Sequence, residues 1–163
     1  MNVPKNSLLL LSGIPAAGKS SFGRCLAREY AFAHYDLECH PHGWPHPKLK
    51  PVWDSSRVNF VAQLKVLHRR VVLDWGFPPH AVSLVHELLA MGARLVWLCG
   101  GHRISTKALS RAGGIPVANS DAQIRAIQNA GYPNTLRCVT VEGLTDAGTI
   151  KDPSEIFREV FGA

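Results

Sequence analysis

Apolar positions along the chain follow two alternating patterns, short continuous runs and helical spacing. The continuous runs predict five buried strands, at 8–12, 32–36, 71–74, 95–99 and 136–141. Apolar residues that recur every three or four positions predict helices at 19–30, 58–67, 82–89 and from 152 onward. Strands that alternate with helices are typical of a parallel sheet with helices on both faces.

Capping and breaking residues predict where several elements begin and end. Ser120 and Gln123 have the spacing of a capping box, so we expect a helix to open there and to end at Gly131. Pro153 suits the first position of the last helix. The histidine-, proline- and glycine-rich segment 39–47 predicts irregular backbone. We find no repeat or linker, so the sequence predicts one domain over residues 1–163.

A glycine-rich motif lies between the first predicted strand and the first predicted helix. Residues 13–20 fit the pattern G-x-x-x-x-G-K-[ST], directly after the leucine run 8–11. Such a loop turns its backbone N–H groups toward a polyphosphate, with the lysine on the β- and γ-phosphates and the hydroxyl facing magnesium. The predicted nucleotide-binding residues are Gly13, Ile14, Pro15, Ala16, Ala17, Gly18, Lys19, Ser20 and Ser21.

Composition narrows the classes of protein that this chain could belong to. Hydrophobic residues make up 46% and charged residues 18% of the 163, as in an ordinary globular domain. No apolar run is long enough to cross a bilayer, and the leucine run leads into the loop, so we expect a cytoplasmic protein without a signal peptide. The four cysteines lack C-x-x-C spacing, which favours free thiols. The net charge of +6 suits a nucleotide, whereas the absence of a dense basic run makes nucleic acid a weak candidate.

Elimination among proteins with this loop favours a kinase. The N-K-x-D element that reads guanine is absent, as is the L-S-G-G-Q element of transport ATPases. Asp74 ends the third strand but is followed by Trp75, where ATPases that hydrolyse for work usually have a glutamate. An indole cannot activate water, so hydrolysis for mechanical work is disfavoured.

The loop, the segment Tyr35-Asp36-Leu37-Glu38 and the segment 72–77 together carry a family resemblance. The chain resembles the small-molecule P-loop kinases of the nucleoside-monophosphate-kinase-like fold, the group of shikimate, gluconate and chloramphenicol kinases. The resemblance implies a three-layer α/β fold with a five-stranded parallel sheet in the order 2-3-1-4-5 and a short lid at about 102–118. It also implies ATP and Mg²⁺ as cofactors and a small-molecule hydroxyl as phosphoryl acceptor.

Two acidic residues at the end of the second strand are the candidate acid–base groups. A hydroxyl that attacks the γ-phosphorus must lose its proton, and a carboxylate can accept it. Residues i and i+2 of an extended strand point the same way, so Asp36 and Glu38 could both face the cleft. We predict Asp36 as the base and as a substrate contact, with Glu38 as a second substrate contact. The alternative is an acidic turn in solvent.

Asp74 is the candidate magnesium residue, together with Ser20. It ends an apolar strand at the edge where parallel α/β sheets bind ligands. The alternative is a plain strand-end cap. Its segment is similar to the Asp-Gly-Phe-Pro-Arg of adenylate kinases, but Pro78-Pro79-His80 follows Phe77 and the arginine is absent. This departure disfavours a nucleoside monophosphate as acceptor.

Basic and aromatic residues complete the predicted site. Arg103, Lys107 and Arg111 are spaced four apart, so one helix face would direct three cations at the transferred phosphoryl group; the alternative is a basic face in solvent. The resemblance implies a lid role for them, with the arginines catalytic. Trp44 and Trp53 would suit an acceptor with a flat or apolar face.

Two other functions stay open, a nucleotide kinase and a non-catalytic ATP-binding regulatory module. Nothing in the sequence indicates an oligomeric state.

Overall fold

Five parallel strands form one sheet in the computed structural model, which describes residues 4–38, 43–100 and 117–162. The strands are β1 (Ser7–Gly13), β2 (Ala33–Asp36), β3 (Arg70–Asp74), β4 (Arg94–Cys99) and β5 (Cys138–Glu142). Their order is β2-β3-β1-β4-β5, which confirms the predicted order. All four neighbouring pairs are parallel, so the strands end at one common edge.

Six described α-helices surround this sheet. They are α1 (Lys19–Tyr30), α2 (Lys50–Ser55), α3 (Arg57–Leu67), α4 (Val82–Ala90), α5 (Val117–Asn129) and α6 (Pro153–Phe161). Short 3₁₀ turns at Pro47–Leu49 and Pro79–Ala81 lead into α2 and α4. No helix in the described ranges has the length and apolar character that a membrane crossing requires.

Successive residues of β2 show that helices cover both faces of the sheet. The imidazole of His34 lies against Gly23 of α1. The ring of the next residue, Tyr35, lies 6.1 Å from the ring of Phe60 in α3, measured between centroids. Neighbouring side chains of a strand point to opposite faces, so α1 and α3 lie on opposite sides of the sheet. This is the predicted three-layer arrangement.

The apolar positions 58, 61, 64 and 67, whose spacing predicted a helix here, do not all face the core of the protein. Val58 is 64% exposed and Leu67 is 46% exposed, whereas Phe60, Val61 and Leu64 are buried. Each step of three residues rotates the side-chain direction by about 60° from the starting face. A row at 58, 61, 64 and 67 therefore crosses half of the helix circumference, and only its middle part faces the core.

Two predicted boundaries near the end of the chain were also wrong. Helix α5 begins at Val117, so Ser120 lies inside it and is not its N-cap. Strand β5 begins at Cys138, two positions after the predicted start at Leu136. Leu136 is buried, but its N–H donates to the Pro133 carbonyl oxygen in a turn. Burial alone does not distinguish such a turn residue from a strand residue.

A pair formed by the buried Tyr35 and the half-buried His68 under β2 predicts how stability depends on pH. The Tyr35 hydroxyl lies 2.9 Å from His68 Nε2. Burial, together with the nearby His46, lowers the pKa of His68 from its ordinary value of 6.5. The unfolded chain therefore binds this proton more readily than the folded chain, and the free energy of unfolding falls as the pH drops below about 6.5.

We expect the Tm to fall between pH 7.5 and pH 5.5, and His68→Gln to reduce that fall. The exposed His86 offers the control, since His86→Gln should leave the pH dependence unchanged. Thermal unfolding followed by circular dichroism at both pH values measures the effect. Equal slopes for wild type and His68→Gln would contradict the assignment.

Candidate functional site

The loop between β1 and α1 is built on a close backbone contact. Gly13 has a φ of 143°, and a Cβ at this position would lie 2.0 Å from the carbonyl oxygen of Leu98 in β4. The next N–H, that of Ile14, donates to the same oxygen over 3.2 Å. Only glycine permits this approach, so the end of β4 fixes where the loop starts.

The loop ends at the N-terminus of α1. Gly18 is the N-cap, and within the described residues no side chain caps this helix end. The first amides of a helix have no partner inside the helix, so those of α1 are available at the loop. Lys19 Nζ lies 3.4 Å from the Ile14 carbonyl oxygen, so the ammonium group bends back over the loop. Amides and an ammonium group at the end of a helix are the groups that suit an anion.

The predicted nucleotide-binding residues differ in what they expose. Pro15, Ala16, Lys19 and Gly13 line a cavity, and Ser20 and Ser21 are partly buried in the first turn of α1. Ile14 and Ala17 are buried, so they offer backbone groups only. Their side chains anchor the loop in the core, which holds its shape.

A second glycine supports the loop from behind. A Cβ at Gly143, which follows β5, would lie 2.1 Å from the Ala17 carbonyl oxygen. The Gly143 N–H donates to the Cys99 carbonyl oxygen, and its own carbonyl accepts from the Lys151 N–H. The end of β5 therefore presses directly on the loop backbone. No sequence motif predicted this contact.

We expect Gly143→Ala to lower the free energy of unfolding by about 2–3 kcal/mol, because the new methyl group meets backbone that cannot move away. Affinity for ADP should fall as well, since the displaced group belongs to the loop. Chemical unfolding and titration calorimetry measure the two effects.

Gly100→Ala is the matched control for this change. Among the described residues, its added Cβ would meet the Leu144 side chain, with Cδ1 at 2.9 Å and Cγ at 3.3 Å, and not backbone, so it should change both quantities much less. Equal effects of the two substitutions would contradict the backbone contact.

Asp74 lies at the same sheet edge and is fully buried. Its Cα pairs in register with those of Leu11 and Asp36, so its side chain shares a face with theirs. Its Oδ2 lies 3.4 Å from His34 Nε2, whereas Oδ1 has no hydrogen-bond partner among the described residues. A buried carboxylate oxygen without a donor is costly, which suits an oxygen reserved for a cation.

The structure separates the two acidic residues at the end of β2, Asp36 and Glu38. Glu38 is exposed, and its Oε1 would lie 2.8 Å from a Cβ at Gly76. Its carboxylate thus lies beside Gly76, in the segment that follows β3. Asp36 Oδ1 instead accepts the Glu38 N–H over 2.9 Å. This bond directs one oxygen of the Asp36 carboxylate at the backbone.

A cavity of about 510 Å³ joins the loop to Glu38. Its volume is that of a small-molecule site. Four parts of the chain line it: the loop, the segment after β2, the segment after β3, and one face of α5. The lining residues are Gly13, Pro15, Ala16, Lys19, Glu38, Gly76, Phe77, Pro78, Pro79, His80, Ala122, Gln123, Ala126 and Ile127. Sequence patterns did not predict His80 or Gln123 here.

Trp44 and Trp53 lie in an aromatic cluster with Tyr35, Phe60 and Trp75. Trp44 is 4% exposed and Trp53 is 6% exposed. The Trp53 ring lies 5.2 Å from that of Phe60 and 5.7 Å from that of Trp75, between centroids. Neighbouring rings therefore cover the indole surface that stacking on an acceptor would need. An acceptor contact by either tryptophan stays a prediction.

The predicted lid lies almost entirely outside the described residues. Arg103, Lys107 and Arg111 fall in 101–116, and only the last two residues of the predicted lid, 117 and 118, begin α5. Their roles stay predictions.

A parallel sheet in this order, with a glycine-rich loop between β1 and α1, defines the P-loop fold class. Within that class, solved structures match nearly the whole chain. Gluconokinase from Sinorhizobium meliloti 1021 is 19% identical, with a TM-score of 0.61, over 98% of this chain and 92% of that one. Shikimate kinase from Bacteroides thetaiotaomicron is 14% identical, with a TM-score of 0.61, over 96% and 99%.

A third match has a bound nucleotide. The YorR protein from Bacillus subtilis, in complex with phosphorylated GDP, is 14% identical, with a TM-score of 0.55, over 94% of this chain and 95% of that one. No protein-family model and no curated protein sequence matches the chain. The chain therefore has the fold of the P-loop kinases of the gluconate and shikimate kinase group, as its motifs predicted.

Proposed function

We propose that this protein transfers the γ-phosphoryl group of ATP to a hydroxyl of a small molecule. The observation that carries the proposal is the shared cavity, which Lys19 of the loop and the Glu38 carboxylate both line. A cation for the phosphates and a base for the acceptor are the two groups that such a transfer requires. The gluconokinase and shikimate kinase folds support the same class of reaction.

The loop would hold the triphosphate. Its amides and Lys19 would bind the β- and γ-phosphates, and their positive charge would stabilise the charge on the transferred group. Arg103, Lys107 and Arg111 would add cations from the lid. The choice of ATP over GTP is supported by the likeness to this kinase group together with the absence of the N-K-x-D element.

The residues present fit a magnesium ion. Asp74 Oδ1 is a buried carboxylate oxygen without a donor among the described residues, and carboxylate and hydroxyl oxygens suit this ion. Ser20 precedes Gly23 by three residues, so it shares the face of α1 that covers His34 and Asp74. When bound, magnesium would neutralise charge on the phosphates. Ser20 and Asp74 are the residues proposed to hold it.

We assign the base to Glu38 in preference to Asp36. Glu38 lines the cavity, whereas Asp36 Oδ1 accepts the Glu38 N–H and holds the turn in shape. The acceptor oxygen would attack the γ-phosphorus as the bond to the bridging oxygen of ADP breaks. Glu38 would take the hydroxyl proton.

The described part of the cavity lining favours an uncharged or cationic acceptor over an acid. Among the described residues that line it, Lys19 is the only lysine, and none is an arginine. Lys19 belongs to the phosphate site, so Glu38, His80 and Gln123 are the groups left for an acceptor. Phe77, with the prolines that follow it, offers an apolar wall for a ring or carbon chain.

Two alternatives lead to different experimental results. A nucleotide kinase is the second candidate, because the similar YorR structure contains phosphorylated GDP. A regulatory module that binds ATP without transfer is the third. It would bind a partner in a nucleotide-dependent way that survives Glu38→Gln.

A transfer screen with radiolabelled ATP tests the proposal. Neutral, cationic and acidic hydroxyl compounds and nucleoside monophosphates serve as acceptors, and Lys19→Met is the inactive control. We expect one neutral or cationic compound to become labelled and to stimulate ATP turnover strongly. Transfer to nucleoside monophosphates alone would favour the nucleotide kinase. ATP binding without transfer to any compound would favour the regulatory module.

A further inference from the structure

His34 lies beside the carboxylate that we propose as a magnesium residue. Its imidazole is 14% exposed, and Nε2 lies 3.4 Å from Oδ2 of the fully buried Asp74. The two residues come from neighbouring strands, with His34 paired in register to Val72, two residues before Asp74. Both side chains therefore point to the face that α1 covers.

A glycine inside α1 makes room for this ring. A Cβ at Gly23 would lie 2.5 Å from His34 Nε2 and 2.9 Å from Cδ2. Glycine in the middle of a helix is less favourable than alanine, because it loses more backbone freedom on folding. Helix α1 thus contains an unfavourable residue at the position where the imidazole meets the helix.

The two oxygens of Asp74 have different surroundings. Oδ2 faces His34, whereas Oδ1 is buried without a partner among the described residues. A carboxylate with no restraint turns about its Cβ–Cγ bond. A donor on one oxygen restrains that turn and thereby fixes the direction of the other oxygen.

We infer that His34 is a positioning residue, which holds Asp74 through Oδ2 so that Oδ1 faces a divalent cation at the phosphate loop. The inference rests on the proposed magnesium–nucleotide function. Donors to ligating carboxylates commonly change metal affinity by about 10–100-fold when they are removed. Because His34 acts through Asp74, its loss weakens binding of the cation and leaves the nucleotide's other contacts in place.

Binding of Mn²⁺ in the presence of ADP, followed by electron paramagnetic resonance, tests this role. His34→Leu removes the donor at similar volume, and we expect Mn²⁺ affinity to fall about 10-fold or more. His34→Gln supplies an amide donor near the position of Nε2 and should restore most of that affinity. Gly23→Ala, which displaces the ring, should act in the same direction as His34→Leu.

Two further readouts distinguish positioning from a structural role. ADP affinity in EDTA should stay at the wild-type value in all variants. The Mg²⁺ concentration for half-maximal turnover should rise in His34→Leu, while kcat at saturating Mg²⁺ stays near wild type. If His34→Leu fails to fold, His34→Asn takes its place, because its amide is too short to reach Oδ2.

The outcomes separate this inference from the proposed function. A folded His34→Leu or His34→Asn with Mn²⁺ affinity within twofold of wild type would overturn the positioning role alone. A wild-type protein that binds neither ADP nor Mn²⁺ with ADP would overturn both. Loss of ADP affinity in EDTA would show a structural effect and would also overturn the positioning role.

Discussion

Lys19→Ala should reduce kcat/KM for ATP by at least about 100-fold, the cost of removing one preorganised charge from a transition state. The ammonium group lines the cavity at the loop, where it would meet the β- and γ-phosphates. Its contact with the Ile14 carbonyl oxygen is long, at 3.4 Å, so the change should leave thermal stability nearly unaltered. Steady-state kinetics and ATP titration measure the effect.

The exposed Lys48 provides the control for this experiment. Lys48→Ala removes the same charge from a 3₁₀ turn that does not line the cavity, so kinetics should stay at the wild-type level. Wild-type turnover and ATP affinity in a folded Lys19→Ala protein would contradict the phosphate-loop assignment.

Glu38→Gln should lower kcat for phosphoryl transfer by about 10²–10⁴-fold, the usual contribution of a positioned base. The amide keeps the size of the side chain but cannot accept the hydroxyl proton. ATP affinity should hardly change, because Glu38 lies across the cavity from the loop. Single-turnover transfer to the acceptor found in the screen separates the chemical step from binding.

Asp36→Asn is the comparison that decides between the two carboxylates. Its Oδ1 accepts the Glu38 N–H, and an amide oxygen can accept the same bond, so we expect a loss of less than about 10-fold. If Asp36→Asn abolishes transfer while Glu38→Gln is nearly silent, the original prediction of Asp36 as the base is right and our assignment is wrong.

The sequence pattern predicted local features of the fold, such as the first strand and the loop that follows it. Leu8, Leu9, Leu10 and Leu11 form a continuous apolar run, and the structure buries all four in a central strand. The phosphate-loop motif fixes backbone shape through glycines, and Gly13 indeed makes an approach that a Cβ would prevent. Such features depend on neighbouring residues in sequence, which is why patterns capture them.

The roles of individual site residues depended on contacts that a pattern does not contain. The spacing of Asp36 and Glu38 predicted a shared direction only if the strand continued, but β2 ends at Asp36. The sequence predicted that Trp44 and Trp53 offer surface to an acceptor. In the structure, rings from residues far away along the chain cover both side chains. His34 showed no pattern at all, because its partner Asp74 lies 40 residues away along the chain.

The contact between Gly143 and Ala17 joins the phosphate loop to backbone that comes much later in the chain. During synthesis the ribosome releases the phosphate loop early, but the backbone that presses on it directly follows the last strand of the sheet. Nascent chains that stop before residue 143 should therefore contain the loop motif but lack the backbone contact that supports it. Nucleotide binding would begin only when the far end of the sheet has been translated and has docked.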